Sequence, residues 1–378
     1  MAVETLTVPY GYLPLEYDYW FDEIHEQVLP AIADLANKGE FTLGDAVERF
    51  EKQFAGATGY KYAVGVSSGT SALSLALLAT GVKPGDAVVT VPNTFVATVG
   101  AICAIGARPV FVDVGPDYLA DIHATFSRSV QAMMPVELTG RPFPIIRWPG
   151  MESPFKLIVD AAQSIGARGG ERGDLKCFSL HPLKNVHVWG DGGMICTDDG
   201  DLAVTLRLLR NHGLQTRDVV TLPGFNERLS PLQAVVGMWS LSHLEWVTQR
   251  RIANAMRYDT GLVNCPGVSL PPRDPNIREV FHTYVIQVAE RDRLARVLKD
   301  VGIETKVHYP IPLHLQRGFT HLGYREGDFP VAEAQAQRIL TLPVNEYLTT
   351  GQIDYVIDQV RQFYTIQGEE ASPRDVRC

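Results

Sequence analysis

Short apolar runs alternate with longer mixed periods through the first two-thirds of the chain. YAVGV (62–66) is compact and apolar, and SSGTSALSLALLATGV after it carries a helical pattern that ends at Gly81. AVVTVP (87–92) precedes a second helical stretch, TFVATVGAICAIGA, and RPVFVDV (108–114) follows it. KLIVDAAQ (156–163) and GMICTDD (193–199) are two more compact runs. Strand, helix, strand in this rhythm predicts crossover units and a largely parallel sheet. Ligands of such sheets gather beyond the carboxyl ends of the strands.

The pattern changes after a long helical region at about 230–263. HTYVIQV (282–288) reads as a strand, RDRLARVLKDVG as a helix and ETKVHYP as a further strand. A chain of 378 residues exceeds what one core usually supports, so two domains are expected. The boundaries are 1–249 for an N-terminal arm with a large domain and 250–365 for a smaller α+β domain. The charged segment 366–378 is expected to be a loose tail.

The net charge of −9, with no basic cluster, argues against a nucleic-acid surface. The five cysteines (Cys103, Cys177, Cys196, Cys265, Cys378) form no CxxC pair and no zinc spacing, so no metal site is expected. That usage suits a reducing compartment. The N-terminus lacks the cationic and apolar regions of a secretory signal, and no apolar stretch reaches membrane-spanning length. The expectation is a soluble cytoplasmic protein.

Three segments carry candidate chemistry. In SSGTSAL (67–73) a serine can cap a helix, Gly69 lets backbone approach a ligand and Thr70 adds a hydroxyl. A helix start of this kind suits phosphate, although a capped helix binding nothing has the same sequence. In IVDAAQSIGA (158–167), Asp160 ends an apolar run where a carboxylate needs a partner, and Gln163 follows three residues on. A local cap would also place an aspartate there. In CFSLHPLKNVHVWGDGG (177–193), Lys184 stands among Phe178, Val186, Val188 and Trp189, with Ser179 and His181 beside it. Desolvation turns such a lysine into an amine nucleophile, whereas a snorkelling lysine would extend to water from a strand edge.

Taken together, the three segments match what pyridoxal 5′-phosphate (PLP) requires. The lysine forms the Schiff base, the aspartate keeps the ring nitrogen protonated and the helix start holds the phosphate. Phe95, just past VPNT, could stack on the ring.

The order of these segments resembles that of the DegT/DnrJ/EryC1/StrS family of PLP-dependent sugar aminotransferases. The resemblance runs from GEFTLG to about residue 363, through FTLG, SSGTSAL, PNTFVAT, VDAAQSIGA, FSLHPLKN, GDGG, FNERLSPLQA and VHYPIPLHLQ. It implies an α/β fold of the PLP-dependent fold type I, with a mostly parallel, helix-flanked central sheet and a smaller C-terminal α+β domain. It further implies that Lys184 carries PLP and later moves a proton. Asp160 would pair with the ring nitrogen, Gln163 with the ring hydroxyl, Gly69, Thr70 and Ser179 with the phosphate, and Phe95 would stack on the ring. Asn226 would reach the phosphate of a neighbouring subunit with Arg228 nearby, which makes a homodimer with shared sites the expected assembly. His308, Tyr309 and His314 resemble segments lining the sugar pocket.

The resemblance implies nitrogen transfer from L-glutamate or L-glutamine to a keto-sugar, whether a nucleotide-linked, phosphorylated or cyclitol ketone, in amino-sugar biosynthesis, and the 307–333 region looks closest to members acting on 3-keto sugars. Two alternatives are a PLP-dependent sugar dehydratase, in which histidine replaces the lysine, and a non-catalytic regulatory protein on the same fold. Two departures stand out. MMPVELTGRPFPIIRWPGMESP (133–154) replaces the usual aromatic-Gly and Met-Asp features, and Glu227 stands where an aromatic or small residue is frequent. The Glu227 carboxylate could alter recognition of the acceptor or donor, or face solvent, and solvent is the favoured expectation.

Overall fold

The computed structural model describes residues 6–121, 130–144 and 155–370, the side chains of 366–370 excepted. Seven strands form the central sheet: β1 (Tyr62–Val66), β2 (Ala87–Thr90), β3 (Arg108–Phe111), β4 (Val130–Met133), β5 (Lys156–Asp160), β6 (Leu175–Ser179) and β7 (Gly193–Thr197). Their order is β1-β7-β6-β5-β4-β2-β3. Pairings from β6 through to β3 are parallel, and β7 runs antiparallel to both β1 and β6. Every residue of β2 and of β7 is buried, which is why both read as continuous apolar runs rather than alternating ones.

The helix Gly69–Ala79 follows β1 and starts at Ser68, whose side chain accepts the Ser71 amide. Its apolar residues pack on the sheet in one core with the helix Val96–Ala104, which follows β2. Each crossover returns the chain so that β1, β2, β5 and β6 end on one edge of the sheet. That edge therefore gathers Ser67–Thr70, Thr94–Thr98, Asp160–Gln163 and Ser179–Lys184.

A hairpin of β8 (Leu214–Thr216) and β9 (Val219–Val220) precedes two helices, Pro231–Ser242 and Leu244–Leu262, which break at His243. The expected single helical region is thus two helices, and residues 249 and 250 lie inside the second. The smaller sheet is antiparallel, with β10 (Val268–Ser269), β11 (Tyr284–Val288) and β12 (Ile339–Leu342) in that order. Its core stacks Tyr258 on Tyr284 with ring centroids 4.8 Å apart, and also takes in Val8 from the N-terminal arm.

ETKVHYP is not a strand of this sheet. Only Lys306 bridges to β12, at Thr341, and the chain then turns away so that His308 and Tyr309 face the large domain. The third strand is ILTL, four buried residues too short and too uniformly apolar to be told from helix by period alone. The last helix, Thr350–Glu370, continues past 365, where a tail was expected, and 371–378 lie outside the described residues.

Candidate active site

A cavity of about 280 Å³ opens at the carboxyl edge of the central sheet. Lys184, Asp160, Gln163, Gly69, Thr70, Phe95, Ser179, His308 and Tyr309 all line it. Nine residues named from sequence thus meet in one place, although they are spread over some 240 positions.

Asp160 is the last residue of β5 and is buried. Thr98 Oγ1 donates to its Oδ2 at 2.7 Å and the Ala162 amide donates to its Oδ1 at 3.2 Å. Thr94 supports Thr98 at 2.8 Å, one helical turn earlier. Among the described residues no lysine or arginine forms an ion pair with Asp160. Burial raises its pKa, opposed by the Thr98 and Ala162 hydrogen bonds and by the Lys184 charge. A buried carboxylate held only by neutral donors suits a ligand that brings its own cation.

Lys184 sits in the turn after β6, where its amide bonds the His181 carbonyl at 2.8 Å. Tyr12 of the N-terminal arm donates to the Lys184 carbonyl at 3.1 Å, fixing the backbone from behind. Val186 and Val188 are buried beneath the turn, whereas Trp189 remains 40% exposed and is no part of the lysine's wall. The side chain is half-buried on the cavity wall. Loss of hydration lowers its pKa to about 8, with the Asp160 charge opposing the shift. At neutral pH a usable fraction is already free amine.

The phosphate end is set by close approach. A Cβ on Gly69 would lie 2.8 Å from Ser179 Cβ, so only glycine lets the helix start meet the end of β6. Glu227 is half-buried rather than turned wholly to solvent: its carboxylate accepts from the hydroxyls of Ser67 and, at 2.6 Å, Ser71. Ser71 in turn lies 2.8 Å from the Ser68 hydroxyl, which caps the helix. The antiparallel bridge of Arg228 to Val66 carries Glu227 to this position.

Gln163 shows what the unusual segment 133–154 does. The Thr139 amide donates to Gln163 Oε1 at 2.8 Å. A backbone N–H can only donate, so the Gln163 NH₂ must point the other way, toward Tyr309. Glu137, from the same segment and fully buried, pairs with Lys176 at 2.8 Å and hydrogen-bonds Ser164. Residues 145–154 of the segment lie outside the described residues.

Three imidazoles flank Lys184. His181, His282 and His308 all have lowered pKa values, first because of burial and next because of the Lys184 charge. His308 falls to about 4, so the wall on this side is uncharged at neutral pH.

Three sequence candidates do not reach the cavity. His314 is buried under Phe329, with Nε2 2.9 Å from Glu333 Oε1, because the turn Leu313–Leu315 points it into the core. Asn226 is exposed and Arg228 donates to Asn211 Oδ1 at 3.1 Å, both outside this chain's cavity wall. Sequence reasoning missed Thr98, Thr139, Glu137 and His282. For Thr98 a signal existed: it stands in the first turn of the helix Val96–Ala104, four residues after Thr94, in a motif considered only for Phe95.

Residues 22–361 match the model of the DegT/DnrJ/EryC1/StrS aminotransferase family. The chain belongs to this family. It is 36% identical over 363 residues to a pleiotropic regulatory protein of Geobacillus stearothermophilus, covering 93% of this chain and 98% of the relative. It is 35% identical to the dTDP-3-amino-3,4,6-trideoxy-alpha-D-glucose transaminase of Streptomyces venezuelae, covering 95% and 97%. It is 36% identical to the UDP-N-acetyl-3-dehydro-alpha-D-glucosamine 3-aminotransferase of Acidithiobacillus ferrooxidans, covering 90% and 95%. Among solved structures, S. venezuelae DesV in complex with a ketimine intermediate superposes with a TM-score of 0.88 at 35% identity, covering 95% of this chain and 99% of that one. NtdA from Bacillus subtilis with bound PMP superposes at 0.85 and 28% identity, covering 96% and 86%. This family member is therefore an aminotransferase with PLP as its cofactor, on the PLP-dependent fold. The glycine-walled helix start and the buried, cation-free Asp160 fit that cofactor's two ends.

Proposed function

We propose that the enzyme moves an amino group from L-glutamate or L-glutamine to the C3 ketone of a nucleotide-linked sugar, for amino-sugar biosynthesis. The observation that carries the proposal is one lysine amine and one buried carboxylate lining a single cavity, with uncharged imidazoles beside them. Relatives named for 3-amino and 3-dehydro sugars support the carbon chosen.

When bound, the cofactor supplies a carbonyl that takes up nitrogen and a ring that accepts electron density. Lys184 Nζ holds the cofactor and afterwards moves a proton, as a low-pKa amine can near pH 8. Asp160, oriented by Thr98, would pair with the ring nitrogen, and Gln163, whose NH₂ also faces Tyr309, would donate to the ring oxygen. Gly69, Thr70 and Ser179 cradle the phosphate, and Phe95, 55% exposed at the cavity, covers the ring. His308 and Tyr309 meet the sugar.

In a homodimer, Asn226 and Arg228 of each subunit reach the other subunit's phosphate end. Asn226 is exposed and Arg228 half-buried, both outside their own cavity, which supports this arrangement. Among the described residues no helix is long and apolar enough to cross a membrane, and Cys103, Cys177, Cys196 and Cys265 are unpaired, which supports a cytoplasmic setting.

The test is the visible spectrum of the purified protein with PLP, before and after L-glutamate or L-glutamine. The band of bound PLP is expected to convert to the pyridoxamine form with one donor and to return with a 3-keto sugar nucleotide. Lys184→Ala should abolish the band and lower turnover by ~10²–10⁴-fold. A protein that binds PLP yet converts with neither donor would instead support the regulatory alternative.

A further inference from the structure

A second chamber of about 70 Å³ adjoins the main cavity, and the two share Leu183, His282 and His308 as walls. Its far side is built from Tyr10 and Tyr12 of the N-terminal arm and from Arg251. Nothing in the catalytic roles above uses it. The chamber is about a quarter the size of the main cavity, so it suits a substituent of a few heavy atoms rather than a second sugar ring.

Its polar groups say what that substituent is. Arg251 is buried, and its charge is already matched: Nη2 lies 2.7 Å from the Glu346 carboxylate, and Nη1 donates to the Phe281 and His282 carbonyls at 3.3 and 3.1 Å. Only Nε has no partner. A carboxylate entering here would meet no net positive charge and would lie near Glu346. Burial keeps the Tyr10 phenol protonated, with Arg251 opposing, and its hydroxyl makes no hydrogen bond among the described residues. His282 is held through Nδ1 by Asn185 at 3.3 Å, and His308 through Nδ1 by Thr341 at 2.9 Å. Each imidazole is neutral and leaves Nε2 free. The chamber thus offers Tyr10 O–H and two imidazole nitrogens, a mixture of donors and acceptors beside the mutually neutralised Arg251–Glu346 pair.

Resting on the proposed sugar acceptor, we infer that the chamber receives an uncharged hydrogen-bonding substituent, a hydroxyl or small amide, on the ring carbon beside the reacting ketone. The shared histidines stand next to Lys184, so a group entering from the main cavity lies close to the reacting carbon. The chamber offers the carboxylates of glutamate no net positive charge, so it suits the acceptor better than that donor. The N-terminal arm becomes part of substrate selection: Tyr12 braces Lys184 and Tyr10 inspects the sugar.

The experiment uses full-length enzyme with PLP and follows the two half-reactions separately. Wild type and Tyr10→Phe are converted with the amino donor. The pyridoxamine forms are then reacted with two 3-keto sugar nucleotides that differ only in a hydroxyl or hydrogen on the neighbouring carbon. Wild type is expected to favour the hydroxylated acceptor, and Tyr10→Phe to lose about tenfold of that preference through acceptor KM, as one hydrogen bond allows. The donor half-reaction should move less than the acceptor one. Tyr10→Ala, which enlarges the chamber, should shift preference toward a bulkier neutral substituent. An unchanged preference in both variants, or equal losses in the two half-reactions, overturns the inference. Failure of the wild-type donor half-reaction would instead count against the proposed function.

Discussion

The two ends of the main cavity are built on different principles. At the Asp160 end an ionisable group is buried without an ion-pair partner and held by Thr98 and one backbone amide. At the Ser68 end a glycine, helix amides and serine hydroxyls line the cavity, and the Glu227 carboxylate braces them by bonding to Ser67 and Ser71. One end selects by electrostatics, where a single atom change matters greatly. The other selects by shape, with the effect spread over several small bonds.

The largest effect should come from breaking the electrostatic end. Asp160→Asn keeps the shape and removes the charge, so PLP affinity should fall by the ~2–5 kcal/mol typical of unpairing a buried charge. The apoprotein should melt no lower than wild type, since an unmatched buried carboxylate has been removed. Titration of the visible band and thermal melts of the apoprotein check the two halves. A parallel loss of apoprotein stability would make Asp160 a structural residue.

The same residue sets a pH dependence. Lys184 has its pKa lowered to about 8, so PLP uptake by the apoprotein should rise with pH through a midpoint near that value. Asp160 opposes the lowering, so Asp160→Asn should move the midpoint down. Uptake rates measured from pH 6 to 10 give the sign directly, and a midpoint near the usual lysine value would refute it.

The shape end predicts coupling rather than one dominant residue. Glu227→Gln and Ser71→Ala should each weaken PLP binding modestly, and the double variant should fall short of their sum by ~0.5–3 kcal/mol, as for groups in one network. Additivity would mean that Glu227 does not act through Ser71. The smallest effect on function belongs to His314, which is buried with Glu333 away from both ends. His314→Asn should lower stability by ~1–3 kcal/mol through the lost hydrogen bond and leave acceptor KM unchanged.

Strands β1, β2, β3, β5 and β7 were legible in the sequence because each is a short apolar run bounded by turn residues. β12 was not, since ILTL directly abuts a helix and has no period of its own. Lys184, Asp160, Gln163 and the glycine-serine helix start were legible because their chemistry demands those residue types between apolar segments. His314 was misjudged, and the serine partners of Glu227 went unforeseen, because a histidine or glutamate in a polar-looking stretch is the same word whether it faces a ligand, solvent or a buried partner.

The sequence by itself determined the alternation that makes a parallel sheet and the residue types waiting at its edge. Tertiary structure alone decided which of them face one another. Thr139 turns the Gln163 amide, Glu227 reaches serines some 160 positions away, and the N-terminal arm walls a chamber beside Lys184. These contacts join distant parts of the chain, and a local pattern of apolar and polar residues carries no record of which distant backbone will arrive beside it.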